Sequence, residues 1–310
     1  MLVIQTLDFQ NYEESNPATL VELAGEVVEA LTTLGFMKIK NLGIEPEQVA
    51  TMFSYADWFF SQDQADKQRS SYASAGENFG FQGVGVEHLD PAQHADIKET
   101  FTMRDLLRHD VTDPRWPNDD FREVATRFYE NCLQGAYRIQ RVCAHAFDLE
   151  QEFFVNCHQG ENVSLRLLYY PASEEYSVQS GQLGAGVHTD YGMLTLLFQN
   201  GVGGLQVQDA ERDWHDVVPE PDAIVINTGD LMERWTNGKF CSTPHRVQPK
   251  VGAEDRLSIA MFVDPDTETP VSVLQSCIPA GERARYPEIT AGEHIQERIK
   301  ASHRRGEPLT

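Results

Sequence analysis

Between Ser164 and Val263, apolar residues come in short runs broken by Gly, Asn and Pro, with polar or small residues at alternate positions. A period of two predicts β-strands, and many short strands at close spacing predict a sandwich or barrel. RLSIAMFV (256–263) separates into Leu257, Ile259, Met261 and Val263 on one face and Arg256, Ser258, Ala260 and Phe262 on the other. SLRLLYYP (164–171) behaves alike, with Ser164, Arg166, Leu168 and Tyr170 alternating with Leu165 and Leu167.

Elsewhere the period lengthens to that of a helix. Leu20, Leu23, Val27, Leu31 and Leu34 recur after Asn16, an N-cap followed by Pro17 at the first helical position, and Gly35 ends the run. FMKIKNLG then reads as a short strand, and a second helix runs from Pro46 through QVATMFSYADWFF. A long helix from about 120 to 147 carries Phe121, Val124, Phe128, Cys132 and Tyr137 near one face. Residues 62 to 118, rich in Gly, Asp and Pro, read as loops broken by short elements. The tail reads as a loop and a final amphipathic helix with a basic end. The organisation expected is an N-terminal region, 1–118, and a region 119–310 with the long helix, a β core at about 163–265 and the helical tail, all one integrated unit.

Composition narrows the function classes. A chain of 310 residues, 41% hydrophobic, can bury about three quarters of its unfolded surface. A net charge of −23 with no segregated basic patch excludes nucleic acid and anionic membrane surfaces as partners. MLVIQTLDFQNYEESNP lacks a basic leader followed by an apolar run, and no long uncharged apolar stretch occurs, so a cytoplasmic protein is expected. Cys132, Cys143, Cys157, Cys241 and Cys277 are odd in number and without a Cys-x-x-Cys, as free thiols in a reducing compartment would be. Oligomeric state is not legible.

Candidate chemistry begins in GVHTDYGMLTLLFQN (186–200). On a strand His188 and Asp190 would face one side and present an imidazole and a carboxylate to a common point, which suits a divalent metal. The spacing alone is weak: ten histidines with a 48/310 chance of an acid two places on give roughly 1.5 such pairs, and the chain has three. His88/Asp90 and His94/Asp96, in EHLDPAQHADIKE, read as solvated loop residues. His245, in CSTPHRV, is a candidate third ligand. Arg256, if it faces a barrel interior, needs a carboxylate from a ligand or an internal Asp or Glu; Ser258 and Tyr170 could add hydroxyls. Two histidines and a carboxylate on one face leave three open positions on an octahedral ion, the facial triad of non-haem Fe(II) oxygenases. His145, His158 and His215 read as ordinary packing or surface.

The order His188-x-Asp190, His245 after 54 intervening residues, then Arg256-x-Ser258 resembles the iron(II)/2-oxoglutarate-dependent dioxygenase superfamily, in the branch that includes isopenicillin N synthase. LGFMKIKNLGI, DIKETF, HTDYGMLTLLFQNGVGGLQV and NTGDLMERWTNGKFCSTPHRV carry the resemblance over nearly the whole chain. It implies a mainly β fold with flanking helices: a double-stranded β-helix (jelly roll) core with the N-terminal α/β region packed against it. It further implies His188, Asp190 and His245 as iron ligands, and Arg256, Ser258 and Tyr170 on the co-substrate. The implied reaction consumes 2-oxoglutarate and O2, with ascorbate as an accessory reductant. It oxidises, most often hydroxylates, a C–H bond of a small-molecule substrate and releases succinate and CO2. Isopenicillin N synthase carries the same Arg-x-Ser and Tyr, so a 2-oxoglutarate-independent oxidase is the alternative, and a non-catalytic metabolite-binding barrel a remote one. Phe79, Phe81, Arg104, Arg166, Leu168, Leu205 and Phe262 are the candidate substrate contacts, Phe79 and Phe81 as part of a lid in GENFGFQGVG. The acid-rich composition favours a small neutral, zwitterionic or mildly anionic substrate.

Overall fold

The computed structural model describes residues 4–72, 78–90, 94–172, 181–249 and 254–304; Gly76 and Glu77 of the expected lid lie outside them. The N-terminal part runs β1 (Thr6–Asp8), α1 (Pro17–Thr33), β2 (Phe36–Lys40), α2 (Pro46–Phe60), α3 (Gln64–Gln68), β3 (Phe79–Gln82), β4 (Glu99–Arg104) and α4 (Asp119–Ala146). Then follow β5 (Val163–Tyr170), β6 (Ala185–His188), β7 (Leu194–Gln199), β8 (Leu205–Gln208), β9 (Trp214–Asp216) and β10 (Ile224–Thr228). The chain closes with α5 (Asp230–Trp235), β11 (His245–Val247), β12 (Arg256–Val263), β13 (Pro270–Val271), β14 (Ile289–Thr290) and α6 (Ala291–Arg304).

Helix ends follow local chemistry. The Asn16 side chain accepts the Ala18 N–H at 3.1 Å, and Asn118 accepts that of Phe121 at 2.7 Å, each satisfying an otherwise orphaned donor of a first turn. Gly35 turns the chain out of α1 at φ 71°; a Cβ there would stand 2.2 Å from the Cys241 carbonyl oxygen.

The strands form a double-stranded β-helix. An eight-stranded sheet in the order β1-β2-β10-β7-β12-β5-β4-β3 faces a four-stranded one, β6-β11-β8-β9. The pleat of the large sheet separates two environments. Leu257, Ile259, Met261 and Val263 of β12 join Leu165 and Leu167 of β5 in a core shared with α1, α2 and α4. The intervening residues of both strands face the smaller sheet across a cavity. Among the described residues, no helix is long and apolar enough to cross a membrane.

The segment expected as loops contributes more than that reading allowed. β3 pairs with β4, Phe79 opposite Met103 and Phe81 opposite Phe101, and both Phe79 and Phe81 are 1% exposed. Their rings face the helices, not the cavity. Phe81 stands 5.8 Å from Phe59, Phe79 stacks on His109 at 3.7 Å, and Phe59 meets Phe101 edge-on at 4.8 Å. Gly80, which suggested a flexible loop, is needed because a Cβ would lie 2.4 Å from the Ser70 carbonyl oxygen. Phe81→Ala is therefore expected to lower unfolding stability by about 3–5 kcal/mol. Denaturant melts check this, since a lid residue would leave stability unaltered and raise KM alone.

Candidate active site

β6 and β11 run antiparallel with His188 directly opposite His245, their ring centroids 4.3 Å apart. Each ring is held from behind: His188 Nδ1 meets the Gly186 carbonyl oxygen at 2.8 Å, and His245 Nδ1 that of Thr243 at 3.0 Å. A donating Nδ1–H leaves Nε2 as the lone-pair nitrogen, and both Nε2 atoms face Asp190 Oδ1, at 3.9 and 3.6 Å. The other carboxylate oxygen, Oδ2, accepts from Thr195 Oγ1 and Asn227 Nδ2, each at 2.6 Å. Three ligand atoms thus lie within 4.8 Å of one another, a set that could hold a metal ion.

One detail departs from the strand-face expectation. β6 ends at His188, and Asp190 sits in the irregular segment that follows it. Its position is set by contacts outside the strand: the Asp230 N–H donates to its carbonyl at 2.8 Å, and Thr195 and Asn227 pin its side chain. Burial, then the facing His245 ring, pushes His188 well below the usual imidazole range. Burial alone would raise the Asp190 carboxyl, but the two imidazoles and the Thr195 and Asn227 hydrogen bonds hold it low. Neutral imidazole and ionised carboxylate are the ligating forms.

At the other end of β12, Arg256 is 3% exposed. It donates through one terminal nitrogen to Ser258 Oγ at 3.0 Å and through the other to Gln199 Oε1 at 3.2 Å, and its guanidinium lies 4.7 Å from the Tyr170 ring centroid. Its Nε has no partner, and among the described residues no Asp or Glu pairs with it. Burial lowers its pKa. A buried cation without a counter-ion is costly, and an anion entering this end of the cavity would offset that cost.

The cavity, of about 430 Å³, brings together His188, Asp190, His245, Arg256, Ser258 and Tyr170 with Arg166, Leu168, Leu205 and Phe262. It excludes Phe79 and Phe81, for the pleat reason given above. Arg104 also turns away: it donates to the Glu161 carbonyl at 2.9 Å and to Asn162 Oδ1, and lines a separate pocket beneath α6. Of the acids read as solvated, Asp96 is 2% exposed, accepting from Lys98 Nζ at 2.7 Å and from the Gly186 N–H at 3.0 Å. Sequence reasoning missed Thr195, Asn227, Lys98, Glu87 and the α6 residues Ile295 and Ile299, all on the cavity wall. Asn227, a polar residue inside the apolar run IVIN, was the legible signal.

Two outcomes follow from these contacts. Thr195→Val together with Asn227→Ala is expected to weaken Fe(II) binding about 10–100-fold, measured by anaerobic titration. Asp264, on the cavity wall, accepts the Met193 N–H at 3.1 Å, and burial pushes its carboxyl up to about 7. A folded-state pKa above the unfolded value of about 3.9 means stability present at low pH and lost as pH rises through 7. Asp264→Asn keeps the acceptor and cannot ionise, so its melting temperature relative to wild type should climb between pH 5 and pH 8; a constant offset would contradict this.

The 2OG-Fe(II) oxygenase superfamily model matches residues 161–265, and the model for the N-terminal region of a non-haem dioxygenase in morphine synthesis matches 4–123. A 2-oxoglutarate-Fe(II) type oxidoreductase, ppzD of Metarhizium rileyi, is 33% identical over 96% of this chain and 90% of its own, and the proline hydroxylase buaE of Petromyces alliaceus is 29% identical over 96% and 98%. Among solved structures, a full-length Neurospora crassa protein in complex with alpha-KG superposes with a TM-score of 0.86 at 30% identity, covering 97% of each chain, and the same protein has been solved with alpha-KG and thymine. With relatives so similar over the full length, the chain belongs to the 2-oxoglutarate–Fe(II) oxygenase superfamily, enzymes that use Fe(II) and 2-oxoglutarate to oxidise small molecules.

Proposed function

We propose that His188, Asp190 and His245 hold the Fe(II), that Arg256, Ser258 and Tyr170 hold 2-oxoglutarate, and that a small polar substrate is hydroxylated between Arg166 and Phe262. The observation that carries this reading is the division of labour at Asp190: Oδ2 is tied to Thr195 and Asn227, and Oδ1 is turned to two imidazoles whose far nitrogens are already bonded. Three neutral-or-anionic donors on one side of a point fit a ferrous ion that keeps its other positions for ligands. Bound there, iron supplies the dioxygen chemistry that couples decarboxylation of 2-oxoglutarate to oxidation of a C–H bond.

This chain's own residues bind, orient and exclude water. Arg256 takes the distal carboxylate of 2-oxoglutarate, Ser258 adds a hydroxyl, and Gln199 keeps the guanidinium plane in register. Leu168, Leu205 and Val247 surround the co-substrate path with apolar surface, which keeps the dielectric low around the charged groups. The N-terminal and C-terminal regions act as one unit, because β1, β2, β3 and β4 extend the sheet that carries β12.

The test is an anaerobic titration with Fe(II) and then 2-oxoglutarate, following the visible charge-transfer band of a keto acid chelated to ferrous iron. The band should form in wild type and be lost in His188→Ala. Arg256→Ala should weaken 2-oxoglutarate binding by about 3–5 kcal/mol, two or more orders of magnitude in Kd. Unaltered affinity would put the co-substrate elsewhere.

A further inference from the structure

The ladder between β5 and β12 serves as a ruler along the cavity. Its inward rungs are Arg256 with Tyr170, Ser258 with Leu168, Ala260 with Arg166, and Phe262 with Ser164. Rungs are two residues apart, about 7 Å, so Arg166 stands about 14 Å of strand from Arg256. On the other side of β12, Phe262 pairs with Thr195, which holds Asp190. Arg166 is therefore one rung from the row that fixes the carboxylate assigned above to the metal, and far from the anion end.

Arg166 differs from Arg256 in having an acidic partner. One terminal nitrogen pairs with Glu87 Oε1 and reaches Thr100 Oγ1 at 3.4 Å; its Nε is buried and has no partner. Glu87 Oε2 meets Lys98 Nζ at 3.1 Å, and Lys98, its side chain 1% exposed, also pairs with Asp96 at 2.7 Å. Arg166 and Lys98 against Glu87 and Asp96 sum to zero. A ligand with net charge here would be left uncompensated in a low dielectric, so the complementary group is neutral. Its hydrogen-bonding character follows from what remains unused: one guanidinium N–H needs an acceptor, and the Glu87 carboxylate, bound to two cations, retains lone pairs for a donor. Phe262, Ile295 and Ile299, the last two one helical turn apart on α6, supply apolar surface for the flat faces of a small ring.

We propose that the Arg166–Glu87 pair is the specificity-determining subsite and that the substrate is a small neutral ring bearing a cyclic amide or imide edge, C=O toward Arg166 Nε and N–H toward Glu87. This rests on the reading of the iron and 2-oxoglutarate sites given above.

The test uses the Fe(II)·2-oxoglutarate enzyme without oxygen, with uracil, hydantoin, 2-piperidinone, butanoate, L-proline and butylamine as probes. Binding is read by calorimetry and by perturbation of the charge-transfer band. Absence of the band before any probe is added would sink the co-substrate reading, and the two failures are thereby distinguished. With the band intact, at least one cyclic amide should bind and perturb it while butanoate, L-proline and butylamine do not. Glu87→Gln gives the subsite a net positive charge: affinity for the bound amide should fall about 10–100-fold, the loss of one hydrogen bond to a charged group, and butanoate should now bind. Arg166→Lys keeps the charge and removes Nε, and should lose the amide without gaining butanoate. Preference of wild type for butanoate or L-proline, an intact band that no cyclic amide perturbs, or an unaltered order of preference in Glu87→Gln would each overturn the assignment.

Discussion

The pleat of β12 is the constraint on which the rest depends. The strand is hydrogen-bonded to β5 on one side and β7 on the other, so neither its register nor its facing can relax. A slip of one residue would drive Arg256 and Ser258 into the helical core and bring Leu257 and Ile259 to the cavity. Burial of Ile259, Met261 and Val263, each 0% exposed, therefore fixes where the guanidinium points. At about 1.5–3 kcal/mol for each such side chain, the apolar face outweighs the cost of holding one cation inward.

From that strand the positions of the reacting groups propagate through cross-strand rows. Phe262 neighbours Thr195, and Thr195 neighbours Asn227, so one row of the sheet delivers both donors to Asp190 Oδ2. The two histidines come from the facing sheet, where strand pairing alone puts their rings against each other. The site is thus a junction between sheets: the small one supplies the imidazoles and the large one holds the carboxylate. Asp96 completes the frame by tying the Gly186 N–H to Lys98, two residues before His188.

Much of this was legible in the chain because strand alternation is a local property. The inward sets Arg256/Ser258/Ala260/Phe262 and Ser164/Arg166/Leu168/Tyr170 follow from period two alone, and all eight line the cavity. Helix α1 was legible from Asn16, Pro17 and Gly35. Misreadings arose where tertiary contacts override composition. Phe79 and Phe81 lie in a Gly-rich segment that reads as loop, yet Gly80 is there to let the strand pass Ser70, and the aromatic rings complete the core around Phe59 and Phe101. Asp96 looked solvated because its partner Lys98 is a charge, and a buried ion pair is indistinguishable from a polar loop without the fold. The approach of α6 to the cavity had no local signal: the tail read only as an amphipathic helix, and nothing in such a pattern names the surface that Ile295 and Ile299 cover.

An acid-rich chain that takes a dianionic co-substrate poses an electrostatic question, and the magnitudes decide it. Surface charges act through water and salt with a Debye length of about 8 Å at physiological ionic strength, so most of the −23 is screened before it reaches the cavity. A buried guanidinium about 4 Å from a carboxylate, at an effective dielectric near 20, is worth about 4 kcal/mol. One Arg256 inside therefore outweighs many acids outside, provided no internal carboxylate neutralises it. Gln199 and Ser258 meet that condition, since they satisfy terminal nitrogens of the guanidinium with neutral oxygens and leave its charge uncompensated. At Arg166, the acidic partner Glu87 removes that attraction. Two arginines about 14 Å of strand apart along one ladder are thus made chemically different by a single acidic neighbour, so that an anion would gain at the uncompensated guanidinium and not at the paired one.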